Sequence, residues 1–263
     1  MPRQSLAPDF FPPPWASSWG EDGQGLWLTI SLQGIRLLFR WIRPGTFLMG
    51  APQEESDGYF LPGKESQHEV TLSNGFWLAE TAVPQRLWQA VMKSNPSGFG
   101  WPQHPVERVS WLDAQQFLLR LNNLIPSLSA RLPTEAEWEY ACRAGSSCPF
   151  SFGEEITPEQ VNYNAAEEEG GRCRRRTVTV RSLPANPWGL YEMHGNVWEW
   201  CHDSWQDDLG TEPVTDPQGA AAGELRVVKG GSWACAAGYV RSATRDRHYA
   251  DYSGGSISFR LAV

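Results

Sequence analysis

Asn186–Trp200 reads NPWGLYEMHGNVWEW. Proline, asparagine and glycine recur through it too often for a helix, and each favours a turn for its own backbone reason. Only its end, Val197–Trp200, has the pattern of a strand. Side chains alternate along an extended chain, so Trp198 and Trp200 share one side and Glu199 takes the other. At least one of the two indoles is expected to be almost fully buried. The rest of the chain has the same character, with 14 Trp, 25 Gly and 20 Pro in 263 residues. Planar rings give large contact areas at little rotamer cost, so they can pin a fold poor in regular structure. A loop-rich domain fits these numbers better than a helical bundle or a Rossmann fold.

Outward from this segment, short strands are expected at Arg226–Lys229 and Ser258–Leu261, separated by turns, and regular periodicity fades after Gly145. Towards the N-terminus three helices are expected. Thr134 and Glu137 form a capping box ahead of Trp138, Ala141 and Cys142, and Gly145 ends that helix. Ser110 caps a second, with Asp113 in its first turn and Ala114, Phe117, Leu118, Leu121 and Ile125 on its apolar stripe. Pro84 opens a third that runs to about Lys93. Strands are expected at Leu26–Ile30, Ile35–Trp41, Thr46–Met49, His68–Leu72 and Phe76–Ala79, with a polar loop over Pro52–Gln67. Residues 1 to 25 read as an extended arm packed on the body through Phe10, Phe11, Trp15 and Trp19. The fold class is therefore α+β, with helices in the first half and a loop-dominated, strand-supported second half.

The net charge of −8 disfavours a general affinity for nucleic acid. The one basic cluster, Arg172–Arg176 (RCRRR), reads as a solvated loop, with anion binding as the alternative. Five cysteines without a CxxC indicate neither a disulfide framework nor structural zinc. No apolar run is long enough to span a membrane, and no secretory leader opens the chain, so a cytoplasmic setting is expected.

Five ordered blocks carry a family resemblance: RWIRPGTFLMG (Arg40–Gly50), HPVERVSWLDAQQF (His104–Phe117), RLPTEAEWEYACRAG (Arg131–Gly145), NPWGLYEMHGNVWEW, and RVVKGGSW (Arg226–Trp233) with its closing ISFRLAV. Together they resemble the formylglycine-generating enzyme, or sulfatase-modifying factor, family. The resemblance implies a C-type lectin-like fold over residues 40–263, with residues 1–39 as an N-terminal arm and additional strands. The family's enzymes oxidise a sulfatase cysteine to formylglycine, using copper held by two cysteines five residues apart. Here the first position is Cys235 and the second is Val240, which has no ligating atom. A single thiolate does not provide the two-sulfur geometry that Cu(I) favours. Cys201 lies outside the pattern. Another branch of the family uses iron on three histidines, but His68, His104, His194, His202 and His248 lie apart in sequence, and His194 reads as a packed, hydrogen-bonded residue. No catalytic residue is therefore assigned and no cofactor is required. The resemblance also implies Ca²⁺ near the NVWEW segment, with Asn196 and Glu199 as candidate oxygen ligands; a second such site would begin near Asn162 or Asn164.

The segment after GGSW reads differently from an enzyme pocket. Between its framework residues stand Ala234, Cys235, Ala236, Tyr239, Asp246, His248, Tyr249, Asp251, Tyr252, Gly254, Gly255 and Ser256. This scatter resembles the variable region of proteins diversified by diversity-generating retroelements, whose variable proteins often share the lectin-like scaffold. Their templates carry AAC codons with randomised adenines, and all seven residue types at these positions are reachable from that codon. Lys, Glu, Gln, Met and Trp, which are not reachable, are absent from them. Tyr supplies broad contact while Ser, Gly, Asp and His adapt hydrogen bonding to a partner. Trp233, Arg241, Arg245, Phe259 and Arg260 read as scaffold, the arginines pairing with carboxylates or carbonyls beneath. The expected function is a noncatalytic binding protein whose variable surface takes an unknown target, expected to be a protein. The alternatives are an oxidoreductase of the copper or iron type and an accessory or regulatory domain with a fixed surface.

Overall fold

The computed structural model describes residues 7–52, 55, 65–165, 173–220 and 222–263. Gln33 and Gly34 both take positive φ, 52° and 79°, in a tight turn between β2 (Gly25–Leu32) and β3 (Ile35–Ile42). A two-residue hairpin turn of this hand needs left-handed backbone at both positions, which glycine adopts without strain. β1 (Ser18–Asp22) pairs with β2 on the outer side. β4 (Gly45–Met49) and β5 (His68–Leu72) form an antiparallel pair in a second sheet, and β6 (Phe76–Ala79) returns to the first sheet beside β3. The first sheet thus runs β1-β2-β3-β6 and joins strands on both sides of residue 40. Most of the expected loop over Pro52–Gln67 lies outside the described residues.

Three helices follow: α1 (Gln85–Met92), α2 (Trp111–Leu124) and α3 (Glu135–Arg143). The local signals for α2 and α3 are complete. Ser110 accepts from the Asp113 amide while Asp113 accepts from the Ser110 amide, and Thr134 and Glu137 repeat the exchange. Each box satisfies two donors that the first helical turn leaves without partners. In the core the rings of Trp88 and Phe117 stack at 5.4 Å, and Phe259 meets both edge-on. No helix among the described residues is long and apolar enough to cross a membrane.

The third sheet is built from the second half of the chain. Central β7 (Trp198–Ser204) is buried at six of its seven positions and extends four residues beyond the expected Trp200. β8 (Val214–Thr215) joins β5 in the second sheet, while β9 (Leu225–Lys229), β10 (Arg245–Tyr249) and β11 (Ile257–Ser258) complete the third in the order β10-β9-β7-β11. β1, β8 and β10 had no counterpart among the expected strands. The expected strand Ser258–Leu261 is in a ladder only at its start. Its continuation instead accepts hydrogen bonds from the amides of Trp77, Ala79 and Val83, so the C-terminus closes against β6.

The N-terminal arm packs only in part as expected. Phe11 contacts Trp19 and Trp77, and Trp15 meets the edge of Phe39. Phe10, however, is 82% exposed and Trp19 is 53% exposed.

Candidate functional site

Gly231 starts the segment. Its φ is 69°, and a Cβ there would come within 2.5 Å of the Tyr239 carbonyl oxygen, so the close return of the chain requires glycine. The Ser232 carbonyl and hydroxyl accept from the amides of Cys235 and Ala234, and a 3-10 turn follows at Ala237–Tyr239. The chain then dives inward: Val240, Arg241, Ser242, Ala243, Thr244 and Arg245 are all buried. It re-emerges along β10 and turns back through residues 250–256 into β11.

The residues placed as variable lie outside the buried stretch. Ala234, Ala236, Tyr239, Tyr249, Asp251 and Tyr252 are exposed, and Cys235, Asp246, His248, Gly254, Gly255 and Ser256 are half-buried. These twelve residues are not all alike in setting. His248 stacks on Tyr252 at 4.2 Å and approaches the buried Trp200 edge-on at 6.2 Å, so it links surface to core.

Beneath lies a frame of buried ion pairs. Arg260 reaches both oxygens of Glu199, with Nη2 to Oε1 at 2.7 Å, and Trp138 Nε1 donates to Oε2 at 2.7 Å. Arg245 holds Glu135 with two bonds of 2.7 and 2.8 Å. Arg241 contacts Glu65 at 2.9 and 3.0 Å and Glu55 at 2.7 Å. Lys229 bonds Glu139 at 2.9 Å and the Ala243 carbonyl at 3.1 Å. These are the roles expected of the three arginines, with bidentate carboxylate partners fixing orientation as well as charge. Phe259 is fully buried as expected, and Trp233 is half-buried, with Phe99 edge-on at 5.8 Å.

The donor set does not fit copper. Val240 is fully buried against Phe150, Val161 and Tyr163, while Cys235 Sγ lies 3.3 Å from the Ser232 hydroxyl. Cys142 and Cys201 are fully buried, and burial pushes the Cys142 thiol up to about 12 and the Cys201 thiol well above its usual value. Neither offers a thiolate near neutral pH. Among the described residues no three His, Cys, Asp or Glu side chains are arranged to hold a metal ion. The histidines have separate partners. His194, lowered to about 4 mainly by burial, accepts at Nε2 from the Ser151 amide, and its Nδ1 donates to the Val240 carbonyl at 2.7 Å. A neutral ring with its proton on Nδ1 therefore fastens the turn carrying Val240.

Nor do Asn196 and Glu199 form a calcium cradle. Both Glu199 oxygens face the Arg260 guanidinium and the Trp138 indole, so a positive group already occupies the carboxylate. Asn196, at φ 64°, accepts at Oδ1 from the Val178 amide and the Asn162 side chain, and so fixes a turn. Asn164 donates its amide to the Cys235 carbonyl and likewise serves the turn.

Two features went unread in the sequence. Arg245 and Arg247 lie 4.2 and 4.7 Å from the Trp205 ring centre, bracing β10 from a loop more than thirty residues earlier in the chain. Arg174 is no freely solvated side chain: it donates to the Pro158 carbonyl at 2.7 Å, while Arg176 sits over Trp101 at 5.4 Å. No local periodicity marks either contact. Arg172 lies outside the described residues.

Comparison with known proteins agrees with this architecture. The model of the sulfatase-modifying factor enzyme 1-like domain matches residues 39–263. A formylglycine-generating enzyme of Thermomonospora curvata is 36% identical over 221 residues, covering 78% of this chain and 69% of that protein. The Bos taurus formylglycine-generating enzyme is 37% identical over 173 residues, covering 62% of this chain, which spans only 44% of the bovine protein's length. Among solved structures, variable protein 1 of Treponema denticola has a TM-score of 0.75 at 27% identity, covering 90% of this chain and 98% of that one. With the lectin-like, loop-rich α+β fold in place and its match running from residue 39 to the end, the chain belongs to the sulfatase-modifying factor enzyme 1-like family.

Proposed function

We propose that the chain is a noncatalytic binding protein that displays a retroelement-diversified surface, residues 234–256, on a stable lectin-like scaffold. Residues 40–263 carry that scaffold, and residues 1–39 add strands to it. The target is a protein held through the variable side chains. The observation that carries this reading is the burial pattern. None of the twelve positions named as variable is buried, whereas every residue from Val240 to Arg245 between them is buried. Side chains facing solvent can be exchanged at little cost to the fold, and that separates recognition from stability. The likeness to a protein named a variable protein, at 27% identity across nearly its whole length, supports the same reading. So do Tyr249 at 59% and Tyr252 at 45% exposure, since such rings on an unpartnered surface favour contact.

Simultaneous replacement of Tyr239, Asp246, His248, Tyr249, Asp251 and Tyr252 by residues from NNC codons tests the proposal. Each exchange is expected to change stability by less than about 0.5 kcal/mol, with His248 the costliest because it touches Trp200. Most library members should keep the parental melting transition. A ligand selected against one member should lose about 2 kcal/mol or more when a central tyrosine is removed. Collapse of the fold across most of the library would move the function back to a fixed site.

A second expectation concerns chemistry. With Cys235 facing Ser232 and Val240 in the core, copper-supplemented protein should not convert a sulfatase-type cysteine peptide to its aldehyde. Mass spectrometry checks this, and turnover that vanishes in C235S would overturn it.

A further inference from the structure

Beside the loop that carries Phe99 against Trp233 lies a cavity of about 720 Å³ lined by Trp101, His104, Arg174, Arg176, Thr179 and Ser182, among others. Among the described residues, Arg40, Arg108, Arg131, Arg143, Arg181, Arg241, Arg245, Arg247 and Arg260 all have a carboxylate within 4.0 Å. Among the described residues Arg174, Arg175 and Arg176 make no such pair, and neither do Arg36, Arg43, Arg86, Arg120 and Arg226. Arg174 and Arg176 line one concavity together, where low-dielectric walls concentrate their field.

Both are also held in place. Arg174 donates Nη2 to the Pro158 carbonyl at 2.7 Å and Nη1 to the Val161 carbonyl at 3.4 Å, leaving three of its five N–H groups for another acceptor. Arg176 lies over Trp101, whose ring centre is in turn 4.8 Å from that of His104. His104 is fixed by Thr177 Oγ1, 2.8 Å from Nδ1. Stacking orders the Arg176 side chain without using its N–H groups, so less rotamer freedom remains to be lost when an anion arrives. The exposed Thr179 and Ser182 hydroxyls line the same wall as neutral donors.

We propose that this cavity binds a tetrahedral dianion, a phosphate or sulfate group, through Arg174 and Arg176. Two fixed positive charges match two negative ones, and a fork of N–H donors on each guanidinium suits paired oxyanion oxygens. The overall negative charge opposes a nucleic-acid polyanion and selects a compact ligand, either a free ion or a single esterified group. The site does not depend on what segment 234–256 recognises.

His104 supplies a reporter. Burial and then the Arg176 charge hold its imidazole below the usual histidine range. A dianion beside Arg176 offsets that charge and raises the imidazole back towards its ordinary value.

The test is an NMR titration of the intact chain with inorganic phosphate in a weakly coordinating, low-salt buffer, following the imidazole resonances assigned through His104→Gln. Saturable shifts, with a rise in the His104 pKa, are expected. Arg176→Gln should weaken binding by roughly tenfold or more, and Arg174→Gln/Arg176→Gln should abolish it while leaving the melting transition unchanged. Sulfate should compete. A phosphoserine peptide binding more tightly than inorganic phosphate identifies an esterified group as the source, and equal affinity identifies the free ion. Absence of saturable shifts, equal binding by the double variant, or equal binding of the unphosphorylated peptide would overturn the proposal.

Discussion

Trp200→Ala is expected to destabilise the protein by about 3–5 kcal/mol, the range for removing a large buried aromatic ring. Trp200 is fully buried in the central strand β7, within the main core cluster. Its loss removes a transfer term and leaves a void that backbone on both sides cannot close, because β7 is flanked by β9 and β11. It also strips a donor from the Val109 carbonyl, which accepts from Trp200 Nε1 at 3.0 Å. His248 lies edge-on to the same ring, so the floor beneath segment 234–256 should loosen with it. Denaturant unfolding checks the value, with Tyr249→Ala as an exposed control expected to change little. An unchanged midpoint in Trp200→Ala would contradict the packing described here.

Lys229→Met should cost about 3 kcal/mol, since it removes one partner of a buried ion pair and leaves the other in place. Lys229 and Glu139 are both almost completely buried, and Arg143 and the Gly50 amide share the same carboxylate. The loss also leaves the Ala243 carbonyl without its Lys229 donor. Burial alone raises the Glu139 carboxyl, but Lys229, Arg143 and the hydrogen bonds outweigh it and hold the group at about 2. A folded-state value below the unfolded value of 4.5 stabilises the fold above that pH. The contribution declines as pH falls from 4.5 towards 2, where the folded carboxylate takes up its proton. Removing Lys229 raises the folded value and narrows this window, so acid should erode the parent's stability more steeply than the variant's. Urea midpoints across acid pH measure the difference. Parallel curves for the two proteins would remove Lys229 from the account, and Glu139→Gln/Lys229→Met should recover part of the loss at neutral pH.

The helices were legible because their signals are local. A cap and the residue three positions later lie within one turn of each other whatever the rest of the chain does, as in Ser110 with Asp113 and Thr134 with Glu137. β5 and β6 were equally readable, bounded by loops and carried by the alternating HEVTL and the short apolar run FWLA. β10 was not, because RDRHY has no apolar alternation. It becomes a strand by pairing residue for residue with β9, from Arg245 opposite Lys229 to Tyr249 opposite Leu225. A two-residue strand such as β8 carries too few side chains for any period to register.

For segment 234–256, the sequence alone determined the family blocks, the loss of the second copper ligand at Val240 and the chemical scatter of its residues. It also indicated that Arg241, Arg245 and Arg260 would find carboxylates or carbonyls below. Only the tertiary structure decided which ones. Arg260 meets Glu199 across 61 residues, Arg245 meets Glu135 across 110, and Arg241 meets Glu65 across 176. The fold likewise turned Phe10 outward and aimed Arg174 and Arg176 into one cavity. The reason is physical: a cap or an alternating strand is set by neighbours a few bonds away. The partner of a buried charge is set by which distant segments the closed chain brings within hydrogen-bonding distance, and by which of them it also shields from water.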